Sequence, residues 1–466
     1  MNHIEYRFVF CAKNTNNESL QDLEGGQGDM NTLQTIGILV LFVIMVILMI
    51  KGKLTFVISL PVLALGVAII AGVPWGGENG ILQSIFQDGV VAMASSYVAV
   101  IISAWLGAMM NNTGISKTMI KTAAELGGDK PLLVTILLTA AVAMCYTTVA
   151  GLGSVIMLAS IAVPIMISVG VPALVSISTF LFAYATGLAL NMANWEYFTQ
   201  LVGIKFSEVK IFAITLCILT AVMTLIFILT QFKKNGVKIA CPAEEKPDLD
   251  FQKAPAISLL TPLVPIVLVI AFSVPIIPAL FAGMIWCFFT ILLFGRKKNN
   301  ISLTKLLGLT TKSAIDGVND GALGVLSMIV IGMLSKSLTN DIVKSVISDT
   351  IQKIFPSNVI LFLVVFAVLA PLALYRGPLN VWGIGAGIAT LVASMNIVAA
   401  PIVLCCFIAC ERMQVIADPT NSHSVWLANY VGTDTITLLK KVFAYVWILC
   451  ALAVVAVGII AKVRCW

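Results

Sequence analysis

The sequence predicts an all-α, polytopic membrane protein built from two inverted structural repeats, each holding a re-entrant hairpin and a broken helix. Three observations carry that expectation. Of the 466 residues, 59% are hydrophobic and 11% charged, against roughly 45–50% and about 25% in a soluble domain. Stretches such as 35–50 are continuously apolar, whereas a transmembrane barrel shows alternating segments of about 10 residues. The same order of apolar, amphipathic and polar segments also recurs on either side of a charged linker.

Residues 1–29 form a polar extension without the basic start and apolar core of a signal peptide. The purine-rich codons expected for Glu24–Asp29 resemble a ribosome-binding site, which makes Met30 the expected start of translation. The first membrane half, 30–231, has apolar runs at 35–50, 54–73 and 89–110, then an amphipathic stretch, Thr113–Leu126, carrying Lys117 and Lys121. Further runs follow at 132–149, 153–170, 172–190 and 211–231. A cytoplasmic linker, 232–256, contains the charged loop with Pro242 and Pro247. The second half, 257–466, has runs at 257–278, 279–294 and 315–335, the amphipathic stretch Lys336–Lys353, and runs at 358–375, 380–398, 400–417 and 437–463.

Lys51/Lys53, Lys117/Lys121/Lys130, Lys233/Lys234 and Arg296/Lys297/Lys298 fall on one side if every run reverses direction. That side is expected to be cytoplasmic, placing the N-terminus outside. The net charge of +6 therefore reports topology and not nucleic-acid binding. Ten cysteines, most of them inside apolar runs, read as small hydrophobes, Cys406 and Cys410 included.

At an offset of 229 residues, Tyr146 aligns with Tyr375, Met166 with Met395, Pro172 with Pro401 and Val202-Gly203 with Val431-Gly432, without a gap. Apolar chains match by chance, so the weight rests on polar, Gly-containing breaks that fall at the same two places in each half. The first copy is expected to enter the membrane from the cytoplasm at Pro131 and the second from outside near Pro356, which inverts the repeats.

Backbone that leaves the helix at membrane depth must be buried in protein or line a wet cavity. Four such places are expected. Tyr146–Ser154 and Tyr375–Asn380 read as hairpin tips, and Asn191–Asn194 and Asp418–His423 as breaks in spanning helices. Half-helices ending there offer N–H groups to anions and carbonyls to cations. The candidate substrate-binding residues are Thr147, Thr148, Gly151, Ser154, Asn191, Asn194, Arg376, Gly377, Asn380, Thr420, Asn421 and Ser422. At a hairpin tip Arg376 would clamp a carboxylate bidentately; at the bilayer surface it would be a topological charge. Asp418, Glu411 and His423 are candidates for coupling, although Glu411 and Arg412 could neutralise each other and His423 could simply pack. Asn191, Asn380, Asp418 and Asn421 supply oxygens for a candidate Na⁺ site. Asp316 and Asp320, four apart on one helix face, read as interfacial caps, with a coupling role as the alternative.

This succession of scaffold spans, amphipathic arm, re-entrant hairpin, broken helix and closing span resembles the ion transporter superfamily over about 54–463. That group includes the citrate, gluconate and divalent-anion symporters and the large membrane subunit of TRAP transporters. The resemblance implies scaffold and transport domains in each subunit of a homodimer, moving anions by an elevator motion. Two motifs differ. The Ser-Asn-Thr tip of the divalent-anion family is absent from Tyr146-Thr147-Thr148 and from Arg376-Gly377-Pro378, and Leu190-Asn191-Met192-Ala193-Asn194-Trp195 replaces the proline-rich first break of gluconate permeases.

The expected function is that of a secondary active permease in the cell membrane, in bacteria the plasma (inner) membrane. It would carry a small organic anion such as a carboxylate or sugar acid, coupled to Na⁺ or H⁺. A Na⁺/H⁺ antiporter of the same fold is the alternative. The expected partners are the anion, the lipid bilayer and a second copy of the chain, with no cofactor beyond the coupling ion. Two histidines and scattered acids do not suit a membrane enzyme.

Overall fold

The structure, a computed structural model, describes residues 30–49, 51, 53–235, 253–295 and 302–466. The extension 1–29 and linker residues 236–252 lie outside the described residues. The described chain is helical, and no strand occurs among the described residues. Its first half contains α1 (Met30–Met49), α2 (Phe56–Ala71), α3 (Ile81–Asn112), α4 (Ile115–Gly127), α5 (Pro131–Tyr146) and α6 (Leu152–Ser168). Three further helices complete it: α7 (Ala173–Leu188), α8 (Met192–Val202) and α9 (Phe206–Asn235). The second half contains α10 (Leu263–Phe272), α11 (Ile276–Gly295), α12 (Leu303–Thr339), α13 (Asp341–Ile354), α14 (Val359–Leu369) and α15 (Ile384–Ser394). It ends with α16 (Ala400–Ala417), α17 (Ser422–Tyr430) and α18 (Thr435–Arg464).

Local chemistry sets these boundaries. Pro131 opens α5, where its missing N–H costs nothing. Side-chain oxygens of Asn191, Ser302, Asn340, Asn358 and Asp434 accept N–H groups from the first turns of α8, α12, α13, α14 and α18. The two amphipathic stretches become α4 and α13, which bury Met119, Ile120 and Ala123 on one arm and Val343, Val346 and Ile347 on the other.

Eight helical segments among the described residues are long and apolar enough to cross a membrane, or nine if the pair α7 and α8, bent by 61°, makes one span. The chain is a multi-pass membrane protein. The segment α16–α17 is the most enclosed, with 94% of its apolar window buried, against 17% for α1. The second broken helix therefore runs through the centre of the bundle, and α1 lies at its edge. Helix α12 packs along α3 and α2. Small residues allow the close crossing: a Cβ at Gly317 would strike the Trp105 backbone, and one at Gly332 the Gly89 carbonyl.

The offset of 229 seen in the sequence is also present in the elements. Helix α9 begins at Phe206 and α18 at Thr435, and each follows a left-handed glycine, Gly203 or Gly432. Hairpin α5–α6 corresponds in order to α14–α15, and the pair α7–α8 to α16–α17.

Candidate functional site

The four interruptions converge. At the first tip, Asn191 is fully buried and donates through Nδ2 to the carbonyls of Tyr146 (3.1 Å) and Val149 (3.4 Å), while its Oδ1 accepts the N–H of Asn194 (3.2 Å). The break in α7–α8 is thus tied to the tip of α5–α6. Ser103 of α3 donates to the Thr148 carbonyl at 2.6 Å. The hydroxyls of Thr147, Thr148 and Ser154 turn back onto the backbone at Met144 (2.7 Å), Cys145 (3.3 Å) and Ala150 (3.2 Å). Such bonding is the ordinary local habit of Ser and Thr. Gly151 supports the tip with φ +95°, a region costly for any residue with a Cβ.

The second tip is built differently. From α14 the chain continues as a 3₁₀ turn to Arg376. Tyr375 and Arg376 both hold φ near +55° (55° and 54°), an unfavourable conformation for residues with a Cβ. The Arg376 guanidinium donates through Nη1 to the Trp382 carbonyl (3.0 Å) and lies 4.2 Å from the centroid of the Phe56 ring. Asn380 is buried and locked, donating to the Ala373 carbonyl (3.2 Å) and accepting the Trp382 N–H (2.8 Å). The Trp382 indole stacks on Tyr197 at 4.5 Å and donates to Glu411 Oε1 at 2.9 Å.

The second break is tied to the second tip. Asp418 is 1% exposed; its Oδ1 accepts from the Thr420 N–H (2.8 Å) and hydroxyl (2.6 Å), and its Oδ2 from the Arg376 N–H (3.4 Å). Carbonyls that the interruption would free are taken up by side chains: Asn421 donates to the Gln414 carbonyl (3.3 Å) and His423 Nε2 to that of Val415 (3.0 Å). His423 also packs edge-on against Tyr184 at 4.9 Å. One turn earlier on α16, Glu411 Oε2 is paired with Arg412, which donates a second bond to the Ala185 carbonyl at 2.7 Å. Both members of that pair are buried.

Between these pieces lies a cavity of about 330 Å³. Of the residues expected from sequence, Gly151, Asn194, Arg376, Glu411, Asn421, Ser422 and His423 line it. Thr147, Thr148, Ser154, Asn191, Gly377, Asn380, Asp418 and Thr420 do not line it, and their hydrogen bonds make most of them braces of the tips and breaks. The four residues chosen for Na⁺ are shared between both tips. Two of their amide oxygens, those of Asn191 and Asn380, are already engaged by backbone N–H groups.

Sequence reasoning missed Phe56, Ser103, Tyr184, Trp382 and Gln414 as lining residues, and read Asp320 first as a cap, with a coupling role as the alternative. Trp382 carried a usable signal, a large aromatic two residues beyond Asn380 at a tip. Phe56 and Ser103 lie on spans distant in sequence and carried none. What the arrangement offers chemically is an aromatic-walled chamber with a guanidinium at one tip, an amide at each break, a hydroxyl at the second, and carboxylates on α12 and α16.

No family model matches the chain, and no curated relative does. Among solved structures, the crystal structure of the Alcanivorax borkumensis YdaH transporter, described as having an unusual topology, is similar with a TM-score of 0.56 at 13% identity, covering 81% of this chain and 88% of that one. The chain shares the helical fold of that membrane transporter.

Proposed function

We propose that the protein is a secondary active transporter for a small organic anion, with the cavity between the two hairpin tips as its substrate site. One observation carries the reading. The only guanidinium that lines the cavity among the described residues, that of Arg376, stands at an interrupted helix with one of its donors engaged by protein, and all four interruptions surround the same space. A half-buried arginine held on a strained tip is costly without an anionic partner, and its planar fork suits a carboxylate. Helices α2, α3 and α12 form the static part in this reading, and the two hairpins with α7–α8 and α16–α17 the moving part. An odd number of crossings in each half would invert the second copy relative to the first, giving two-sided access to one site.

The antiporter alternative gains no support from Glu411, whose two oxygens are held by Trp382 and Arg412. Asp418, with fewer strong partners on Oδ2, is the coupling candidate we favour, with Na⁺ or H⁺ as the driving ion. The site is proposed to work in the cell membrane as part of a homodimer. Uptake of a panel of organic anions into proteoliposomes under imposed Na⁺ or proton gradients tests the reading. Gradient-driven accumulation that Asp418→Asn uncouples is expected; cation exchange without any anion uptake would establish the antiporter instead.

A further inference from the structure

The cavity contains two opposite charges left largely open by the protein. One is Arg376, whose Nη1 alone is engaged. The other is Asp320, reaching the cavity from α12 beside the first tip. The tip is shaped around it: a Cβ added at Gly153 would strike Asp320 Oδ1, and one at Gly151 would stand 3.1 Å from the Asp320 carbonyl oxygen. Among the described residues no hydrogen bond or ion pair holds the Asp320 carboxylate, and no first-turn N–H of α6 donates to it, so it is not the cap that its spacing suggests.

The other acids nearby are occupied. Asp316, one turn away, accepts from Asn112 at 2.9 Å. Both oxygens of Glu411 and both of Asp418 have partners. His423 is turned to the Val415 carbonyl. The open charges of the chamber are thus a cation at the second tip and an anion at the first.

A dicarboxylate bound to Arg376 would bring its second charge toward Asp320, where repulsion in a low-dielectric chamber is severe. A carboxylate with a protonated amine satisfies both ends. A cavity of about 330 Å³ has the volume of roughly ten waters, enough for a short amino carboxylate. We infer that the substrate is an amino carboxylate, its carboxylate on Arg376 and its ammonium on Asp320, and not a di- or tricarboxylate. This rests on reading the cavity as a carboxylate substrate site, and it narrows the organic anion of that reading to a carboxylate that carries its own ammonium.

The test measures binding to the full chain in detergent by quenching of tryptophan fluorescence. The probes are length series of ω-amino carboxylates, plain carboxylates and dicarboxylates. At the fitting length the amino carboxylate is expected to bind at least about tenfold tighter than its two counterparts, the scale of one charged hydrogen bond. In Asp320→Asn, and in Gly153→Ala, where the added Cβ displaces the carboxylate, that ratio is expected to fall to near one. A wild-type preference for the dicarboxylate overturns the inference, as does a tenfold preference that survives in Asp320→Asn. Failure of all three series to bind overturns instead the reading of the cavity as a carboxylate site.

Discussion

Replacing Arg376 perturbs the one Lys or Arg that lines the cavity among the described residues, and the structure bounds the effect. The side chain makes one bond to the Trp382 carbonyl at 3.0 Å and lies over Phe56 at 4.2 Å, which leaves the rest of its fork for a substrate carboxylate. In Arg376→Lys the charge stays but the fork is lost, so the change removes one charge-assisted hydrogen bond, about 1.5–3 kcal/mol. Apparent affinity is then expected to fall by roughly 10- to 150-fold. Arg376→Ala removes the charge as well and is expected to fall at least as far. Because Arg376 also donates its backbone N–H to Asp418, which either substitution keeps, the tip is expected to stay in place. The assay is concentration-dependent uptake, with thermal unfolding of each variant as a control for folding. Unchanged half-saturation in Arg376→Ala would refute the clamp and return the residue to a topological role.

The buried pair gives a sharper contrast. Arg412→Met strands Glu411 at a site with 0% exposure, so a loss of about 3–5 kcal/mol is expected; the double variant Glu411→Gln/Arg412→Met should recover much of it, and equal melting of single and double variants would show that the pair is not coupled. Asn191→Leu removes the donors to the Tyr146 and Val149 carbonyls, and at about 1–3 kcal/mol for each buried unsatisfied group a clear fall in the unfolding midpoint is expected; an unchanged midpoint counts against the brace. For topology, a cysteine at Asp129 should be labelled only from the cytoplasm and one at Ser345 only from outside, both positions being exposed. Labelling of both from one side would remove the inversion.

The element order was legible because lipid leaves few alternatives: an apolar run must become a helix, and a polar break must be buried. The offset linking Tyr146 with Tyr375 and Gly203 with Gly432 needed only punctuation. The site was legible in part. Arg376, Asn421 and His423 stand out by their residue type against apolar neighbours, and all three line the cavity. The hydroxyls of Thr147, Thr148 and Ser154 were chosen for the same reason, yet each bonds to a carbonyl three or four residues back, a local competition that type and position do not reveal. The place of Asp320 was not legible for the opposite reason. Its i, i+4 spacing from Asp316 is a local pattern, whereas its part in the cavity depends on Gly151 and Gly153 lying against α12, a contact between segments about 170 residues apart in the chain.

The central claim is that one cavity serves both sides of the membrane. Ser422 lines that cavity and is exposed within it, so Ser422→Cys, in a background where Cys11, Cys241 and the exposed Cys465 are replaced, reports its accessibility directly. Labelling with an impermeant thiol reagent is expected from both right-side-out and inverted vesicles, and the transported substrate is expected to protect the cysteine in both. Reaction from one side alone, under every ion and substrate condition, would contradict the account.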